Sequence, residues 1–140
     1  MTEKYKILGR YIKDLSSETN NVETYLFVKD HISKYQLNID ITSKPLKNKL
    51  IEINTTLKFE DKEPNEKKSY FEIVFATIIR PHEEVKEKKD LEKIILCDVQ
   101  TDIYPDLEKT FLNLMHDSGY PDIKIENKID FEKLYLGRKN

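Results

Sequence analysis

Apolar and polar residues alternate along the first half of the chain in a pattern that predicts β-strands. Residues 35–42 and 51–60 alternate strictly, so each strand is expected to have one buried face and one wet face. Residues 4–15 are apolar on both parities, and Gly9 within them suggests a bulge or a close approach of the backbone. The most apolar run, residues 70–79, is rich in aromatic and β-branched side chains, which favour a strand.

The segments between these strands predict how the strands are connected. Residues 43–49 form a turn and residues 60–68 a charged hairpin loop, so the last three strands are expected to form an antiparallel meander. Residues 16–23 are polar and turn-like. The short apolar segment 24–28 that follows is expected to cross from one strand to another.

Apolar residues recur at helical spacing after residue 81, which predicts helices in the second half of the chain. A first helical stretch carries Leu91, Ile94, Ile95 and Val99. Asp102 is expected to cap a second helical segment, with Pro105 in its first turn. The apolar stripe of this second segment consists of Leu107, Phe111, Leu114 and Met115.

Two further signals delimit the end of the helical part. Gly119, followed by Tyr-Pro, predicts a helix C-terminus. Asp130 is expected to cap a last short helix that carries Phe131, Leu134 and Tyr135. Because strands precede helices, the fold class is α+β, in one domain over residues 1–140, with the sheet at about 4–80 and the helical part at about 90–136.

The run 70–79 has two apolar faces, and each face requires cover. A single helical layer covers one face of a sheet. We therefore expect a second subunit or a bound partner at the other face. The alternative is that this run and the apolar segment Tyr25-Leu-Phe27 both pack in the core of the monomer.

Composition restricts the classes of partner. Charged residues make up 36% of the chain, yet 24 basic and 26 acidic residues leave a net charge of only −2, so no global field favours nucleic acid or an anionic membrane. The single cysteine, Cys97, excludes an intrachain disulfide and suits a reducing compartment. Residues 2–7 show no signal peptide, and no apolar run reaches the roughly 20 residues of a membrane span. These features predict a soluble cytoplasmic domain.

Catalytic and metal-binding patterns are not found in the sequence. The histidines His31, His82 and His116 lack ligand spacing, and the three glycines lie far apart, so neither a metal site nor a phosphate-binding loop is expected. Cys97 lies in an apolar helical stretch and is expected to be a buried structural thiol. We predict no catalytic residue, no cofactor and no enzymatic activity.

Several segments, in this order along the chain, resemble the SecB family of protein-export chaperones. The stretch 11–18, Tyr-Ile-Lys-Asp-Leu-Ser-Ser-Glu, is similar to the family motif Y-x-K-D-[IL]-S-x-E. Residues 27–30 and 35–40 are similar to the family's crossover and second strand. Residues 118–125 and 129–135 are similar to its two C-terminal motifs, so the resemblance covers about residues 5–136.

The chain also departs from the family pattern. His31 stands where an aromatic residue, often Trp, helps to bind clients, and of the usual helix start only Cys97, Tyr104 and Pro105 are retained. The family's acidic tail, which contacts the export motor, is replaced by the basic ending 136–140. These departures weaken the expected link to the motor more than the expected fold.

The resemblance implies a fold, an assembly and a function. Members have a four-stranded antiparallel sheet followed by a helical layer and assemble as a dimer of dimers. They hold unfolded polypeptides or preproteins in apolar grooves without ATP and pass them to the translocase motor ATPase, SecA. By position, the client groove would be lined by Tyr25, Leu26, Phe27, Ile32, Tyr35 and Leu37.

Two of these assignments have a structural alternative. The parity of Leu37 equally allows it to face the helical layer. Asp14 and Glu18 match the family's acidic residues that contact the motor, but they are also consistent with solvated charges near a strand end. A groove built from such side chains would bind an unfolded chain through many weak contacts, each worth roughly 25 cal/mol per Å² of apolar area.

Two other classes of function remain open. One is a SecB-like chaperone or adaptor dedicated to a single partner such as an antitoxin, which the missing acidic tail favours. The other is a small enzyme or ligand-binding domain, which would require a deep pocket with convergent polar groups. The client's identity, and the choice between dimer and tetramer, are left open by the sequence.

Overall fold

The computed structural model describes residues 4–125 and 129–138. Its strands are β1 (Tyr5–Glu18), β2 (Gln36–Pro45), β3 (Ile51–Glu60) and β4 (Tyr70–Pro81). Its α-helices are α1 (Val22–His31), α2 (Lys88–Lys93), α3 (Val99–Asp117) and α4 (Phe131–Arg138). A π-helical turn, Ile94–Asp98, joins α2 to α3, and short 3-10 turns lie at Ile32–Lys34 and Lys47–Lys49. The predicted α+β class is confirmed.

The four strands form one antiparallel sheet in the order β1-β4-β3-β2. The predicted meander is therefore present as β2, β3 and β4. Strands β1 and β2 occupy opposite edges, so the segment between them crosses the end of the sheet. The expected crossover at residues 24–28 lies inside this segment and is helical, as part of α1.

Strand β1 is longer than its sequence pattern predicts. The turn expected over residues 16–23 begins only after Glu18, because Ser16 pairs with Glu72 and Glu18 pairs with Tyr70 on β4. The backbone groups of β4 provide these polar residues with hydrogen-bond partners, and this pairing outweighs their turn preference.

Two β-bulges shift the register of β1 against β4. They lie between Ile7 and Gly9 and between Ile12 and Asp14. The bulge predicted at Gly9 is thus present, whereas a close approach is not, since a Cβ atom at Gly9 would meet nothing within 4 Å. Each bulge adds one residue to β1 and so resets which side chains face each side of the sheet.

The helical layer covers one face of the sheet, and the core lies between them. The sheet contributes, among others, Ile53, Leu57, Phe71, Ile73 and Ile79, and the helices contribute Ile94, Val99, Ile103, Leu107, Phe111 and Met115. We call the other side of the sheet the outer face. The second apolar parity of β4 points to this face, where Val74 and Ile78 are half-buried and Tyr70 is 45% exposed.

The helix start predicted at Asp102 is wrong. The helical rod runs without interruption over residues 88–117, and Asp102 lies inside α3. The π-helical turn makes this continuity possible: the Val99 N–H donates to the Ile94 carbonyl, and the extra residue lets both side chains face the sheet. Pro105 lies on the exposed side of α3, where water can hydrate the carbonyl that its missing N–H leaves without a helical partner.

The predicted end of α3 and start of α4 are both observed. Gly119 has a φ angle of +101°, and the Tyr120 N–H closes the helix end on the Met115 carbonyl at 2.8 Å. The Lys133 N–H donates to the Asp130 side chain at 3.1 Å, which caps α4. Of the apolar residues predicted to pack from α4, Phe131 and Tyr135 are buried, but Leu134 is 55% exposed and does not belong to the buried stripe.

Candidate functional site

Helix α1 leaves two apolar side chains exposed to solvent. The helix begins after Asn21, whose side-chain oxygen accepts the Thr24 N–H at 2.8 Å. Thr24 and Val28 point into the protein. On the opposite side, Val22 is 62% exposed and Leu26 is 55% exposed. Leu26 is therefore the most exposed of the residues predicted to line a groove.

Tyr25 anchors α1 to the end of α3. Its ring is half-buried, with its centroid 5.4 Å from that of Tyr120, and its hydroxyl donates to the Gly119 carbonyl at 2.8 Å. One edge of the ring faces a glycine at which a Cβ atom would lie only 2.7 Å away. The contact therefore uses the hydroxyl of Tyr25 and the absence of a side chain at Gly119.

Phe27 and His31 form a stacked pair on α1. Their ring centroids are 4.1 Å apart with an interplanar angle of 16°, and both side chains are half-buried. The His31 Nδ1 atom lies 2.8 Å from the Phe27 carbonyl oxygen, which can only accept, so Nδ1 carries the proton and donates. The two rings therefore stack face to face at the C-terminal end of α1.

Tyr35 belongs to the core rather than to an exposed rim. It is only 6% exposed, its ring lies 5.4 Å from Phe59 and 6.2 Å from Phe71, and its hydroxyl accepts the Ser69 N–H at 3.0 Å. Burial raises the pKa of the Tyr35 hydroxyl. Tyr35 therefore anchors the end of the crossover segment in the core.

Leu37 and Ile32 lie at the margin of the same core. Leu37 is half-buried and pairs with Phe59 on the helix-covered side of the sheet, which is the second of the two orientations allowed by its parity. Ile32 is half-buried and packs against the core. The structure therefore brings the predicted groove residues to one region, with Leu26 outermost and Tyr35 innermost.

The edge strand β1 adds apolar residues that sequence analysis did not assign to this surface. Ile12 is 45% exposed and Leu15 is 49% exposed, although both pair with buried β4 residues on the helix-covered side. Ser17, the next β1 residue on that side, contacts Ser118 with 2.7 Å between their hydroxyl oxygens. In the sequence, the available signal for these residues was that β1 is apolar on both parities. That Ile12 and Leu15 lie on the same side of the sheet depends on the bulges.

An open groove of about 1260 Å³ lies between the start of β1, α3 and α4. Its lining mixes apolar side chains such as Ile7 and Phe131 with charged ones. Tyr5 crosses it, and its hydroxyl donates to the Asp102 carboxylate and lies 3.2 Å from the Asp98 carbonyl oxygen. Asp102 thus connects α3 to the start of β1.

Cys97 lies at the same groove but is buried. Burial raises the pKa of its thiol, and the neighbouring Asp98 carboxylate raises it further. The thiol is therefore protonated at neutral pH and is not an activated nucleophile. The expected structural role of Cys97 is consistent with this environment.

Asp14 and Glu18 both lie on the outer face of β1. The Ser16 hydroxyl, between them on that face, donates to the Asp14 carboxylate at 2.6 Å. Across the strand pair, Ser16 lies opposite Glu72 and Glu18 lies opposite Tyr70. Acidic side chains of two adjacent strands therefore meet at this end of the sheet.

The pKa of Tyr70 reflects the negative charge of these acidic side chains, which we call the acidic patch. Its hydroxyl donates to the Glu72 carboxylate, and this hydrogen bond, together with burial and the charges of Glu72, Asp14 and Glu60, raises its pKa to about 12. Sequence analysis missed Glu72, although it shares the parity of Tyr70. Lys58, 3.9 Å from Glu72, offsets part of the charge.

The described residues offer little for other kinds of site. Among residues 4–125 and 129–138, no three His, Cys, Asp or Glu side chains cluster in a way that could hold a metal ion. In the same part of the chain, no helix combines the length and apolar content needed to cross a membrane.

Comparison with known proteins identifies relatives over the whole chain. The family model for the preprotein translocase subunit SecB matches residues 1–140. A SecB protein of Pelagibacter ubique is 59% identical over 140 residues, which is 100% of both chains. The protein-export protein SecB of Rhodospirillum rubrum is 24% identical over 135 residues, covering 94% of this chain and 80% of the relative.

A solved structure shares the fold. It is a SecB-like chaperone of Mycobacterium tuberculosis in complex with a ChAD peptide from the HigA1 antitoxin. The TM-score is 0.64 at 10% sequence identity, covering 89% of this chain and 91% of the other. The likeness supports the arrangement of sheet and helices described above.

Proposed function

Since the chain belongs to the SecB family of protein-export chaperones, we propose that it acts as an ATP-independent holdase. In this proposal it binds unfolded polypeptides or preproteins through apolar contacts and keeps them competent for translocation. It catalyses no reaction and needs no cofactor. Its site of action is the cytoplasm, where a single unpaired cysteine suits the reducing conditions.

The exposed apolar side chains of α1 carry this proposal. Val22 is 62% exposed and Leu26, one helical turn later, is 55% exposed. Contiguous apolar surface of this kind marks binding sites in soluble proteins. Each subsite that covers about 50 Å² of apolar area contributes about 1 kcal/mol, so a long unfolded chain binds through several of them at once.

The shape of β1 supports an oligomer as the working form. β1 is a 14-residue edge strand, and an edge of this length is a template for pairing with another chain. We propose that copies associate through this strand and its flanking apolar residues into a dimer and then a dimer of dimers. Such an assembly would multiply the number of client subsites and so raise avidity.

The acidic patch of the outer face supports a role in transfer to the motor ATPase SecA. Asp14 and Glu18 lie on this face near Glu72 and Glu60, and a basic partner segment would complement them. We propose that this patch contacts the motor, while clients occupy the exposed side of α1. Separate surfaces would allow client and motor to bind at the same time.

The test is suppression of aggregation of unfolded, slowly refolding model proteins, without nucleotide, with light scattering to follow both aggregation and oligomer mass. We expect suppression near one oligomer per client chain. Leu26→Asp should weaken client binding about tenfold, because it places a charge at the most exposed groove position. The matched control is Leu134→Asp, which alters a leucine of α4 that is also 55% exposed and should bind clients as the unmodified protein does.

A chaperone dedicated to one partner would give a different result. The solved SecB-like chaperone is bound to an antitoxin peptide, which makes this class worth distinguishing. A stable oligomer that suppresses aggregation of none of several unrelated clients would contradict the general holdase. One tightly bound partner would then identify a dedicated chaperone.

A further inference from the structure

The contact between Tyr25 and Gly119 joins α1 to the end of α3. The Tyr25 hydroxyl donates to the Gly119 carbonyl at 2.8 Å, and the ring leaves no room for a side chain, since a Cβ atom at Gly119 would lie 2.7 Å from the Tyr25 Cε1 atom. Gly119 is also required by its backbone, because its φ of +101° is a conformation that other residues rarely adopt. Two independent constraints therefore hold this position.

Few other contacts orient α1. In the described part of the chain, the Asn21 and His31 side chains bond within the helix or its cap, whereas the hydrogen bond of Tyr25 reaches another element. The buried side of α1 consists of Thr24 and Val28. This side is small and in part polar.

The side-chain pattern of α1 determines the rotation of the helix only weakly. Val22 and Leu26 are four residues apart, as are Thr24 and Val28, and the two pairs lie on opposite sides of the helix. The exposed pair is flanked by Glu23, Lys29 and Asp30, which are also exposed, so the burial of apolar surface alone favours neither side strongly. Tyr25 lies between the two sides, and its anchoring to Gly119 holds the observed rotation.

We propose that Tyr25 and Gly119 are positioning residues that set the rotation of α1 and thereby keep Leu26 available to clients. This role rests on the proposed holdase function, because the surface that it positions is the proposed client surface. Neither residue needs to touch the client. A tyrosine predicted from its sequence position to line the groove acts instead by orienting the helix that carries it.

The orientation itself is tested by cysteine labelling with a maleimide, since the natural thiol, Cys97, is buried. Thr24→Cys should label slowly and Leu26→Cys rapidly. Adding Gly119→Ala should speed labelling at position 24 about tenfold and slow it at position 26, because the new methyl group displaces the Tyr25 ring. Gly9→Ala is the matched control, since a Cβ atom there meets nothing within 4 Å, and it should leave both rates unchanged.

Client affinity provides the functional readout. Tyr25→Phe removes one hydrogen bond and should weaken client binding about fivefold, while Tyr11→Phe, at an exposed outer-face tyrosine, should not. In a Tyr25→Ala background, Gly119→Ala should have a smaller effect on labelling than in the natural chain, because the clash with the ring is gone and only the backbone cost remains. This comparison separates the contact from a general loss of stability.

Two results would overturn the proposal. Unchanged labelling at positions 24 and 26 in the Gly119→Ala variant would show that the contact does not set the rotation of α1, whatever the client data. Altered labelling with unchanged client affinity would show that the rotation does not matter for binding. If the unmodified protein binds no unfolded client, the holdase function fails, and the labelling still decides whether the contact orients α1.

Discussion

Two threonines on the helix-covered side of the sheet differ in whether the hydroxyl group has a hydrogen-bond partner. Thr55 and Thr77 are both fully buried. The Thr55 hydroxyl donates to the Gln100 side chain at 2.9 Å, and Gln100 in turn donates to the Ile95 carbonyl within the π-helical turn at 3.1 Å. Within the described residues, the Thr77 hydroxyl has no partner. Their hydroxyl groups should therefore have opposite effects on stability.

We predict that Thr55→Val lowers the free energy of unfolding by about 1–3 kcal/mol, because it leaves the buried Gln100 amide oxygen unpaired. Thr77→Val should leave it unchanged or raise it by about 1 kcal/mol, because it replaces an unpaired hydroxyl with a methyl group of similar size. Urea unfolding at one fixed protein concentration measures both. Equal losses in the two variants would contradict this account of the core.

The acidic patch makes a prediction about pH. Tyr70 has a pKa of about 12 in the folded chain, above its ordinary value of 10.0, so the folded state holds the proton more tightly than the unfolded state. The stabilisation is complete below pH 10 and is lost as the pH rises towards 12. Glu72→Gln should lower the pKa of Tyr70.

An ultraviolet titration of tyrosinate, with Tyr70→Phe used to identify the Tyr70 signal among the eight tyrosines, measures this shift. The matched control is Glu52→Gln, since Glu52 is also on the outer face but bonds to Lys13 rather than to Tyr70. A pKa of Tyr70 that is unchanged by Glu72→Gln would exclude this hydrogen bond as the cause.

At the scale of the element, the stability of helix α4 depends on its N-terminal cap, Asp130. Asp130 accepts the Lys133 N–H at 3.1 Å, and the helix packs through Phe131, whose ring lies 5.6 Å from that of Tyr104. An eight-residue helix is too short to be stable alone, so its cap and its two buried aromatic residues, Phe131 and Tyr135, decide whether it forms.

We predict that Asp130→Ala increases the opening of α4 by about 1 kcal/mol, whereas Asp130→Asn, which retains a capping oxygen, does so by only a few tenths. Hydrogen exchange of the α4 amides measures the opening, and exchange in β3 serves as the internal reference. Equal protection of α4 in the two variants would mean that packing alone holds the helix.

At the scale of the whole molecule, β1 is the surface through which copies are proposed to associate. Leu15 is 49% exposed on the helix-covered side of this edge strand. Ser43 occupies the corresponding side of β2 at the other edge and is also exposed. The two positions therefore allow a matched comparison of the two edges.

We predict that Leu15→Lys reduces the oligomer mass measured by light scattering, because burying a lysine at an apolar contact is costly, while Ser43→Lys leaves the mass unchanged. The circular dichroism of both variants should match that of the unmodified protein. An unaltered mass for Leu15→Lys would place the association elsewhere on the molecule.

The strands were predictable because alternation is a local property of the sequence. Residues 51–60 and 70–79 alternate or are uniformly apolar, and both form strands where expected. The caps at Asp130 and Gly119 were predictable for the same reason, since a cap involves residues only a few positions apart. The prediction that Asp102 caps a helix failed because Asp102, although it is of a residue type that often caps helices, lies inside α3 and not at its end.

The candidate site was predictable only in part. Its location at the crossover came from a family resemblance, and the exposure of Leu26 agrees with it. The inward positions of Tyr25 and Tyr35 depend on Gly119 and Ser69, which lie far away in the sequence. A pattern within ten residues carries no information about such partners.

The sequence by itself determined the α+β class, the meander, the crossover and the family, because these follow from local periodicity and from short ordered motifs. Only the tertiary structure decided that α2 and α3 form one rod, that the bulges turn Ile12 and Leu15 to the same side, and that α1 exposes Val22 and Leu26. These three features arise from contacts between distant residues. Their energies of a few kcal/mol outweigh the local preferences that a sequence pattern reports.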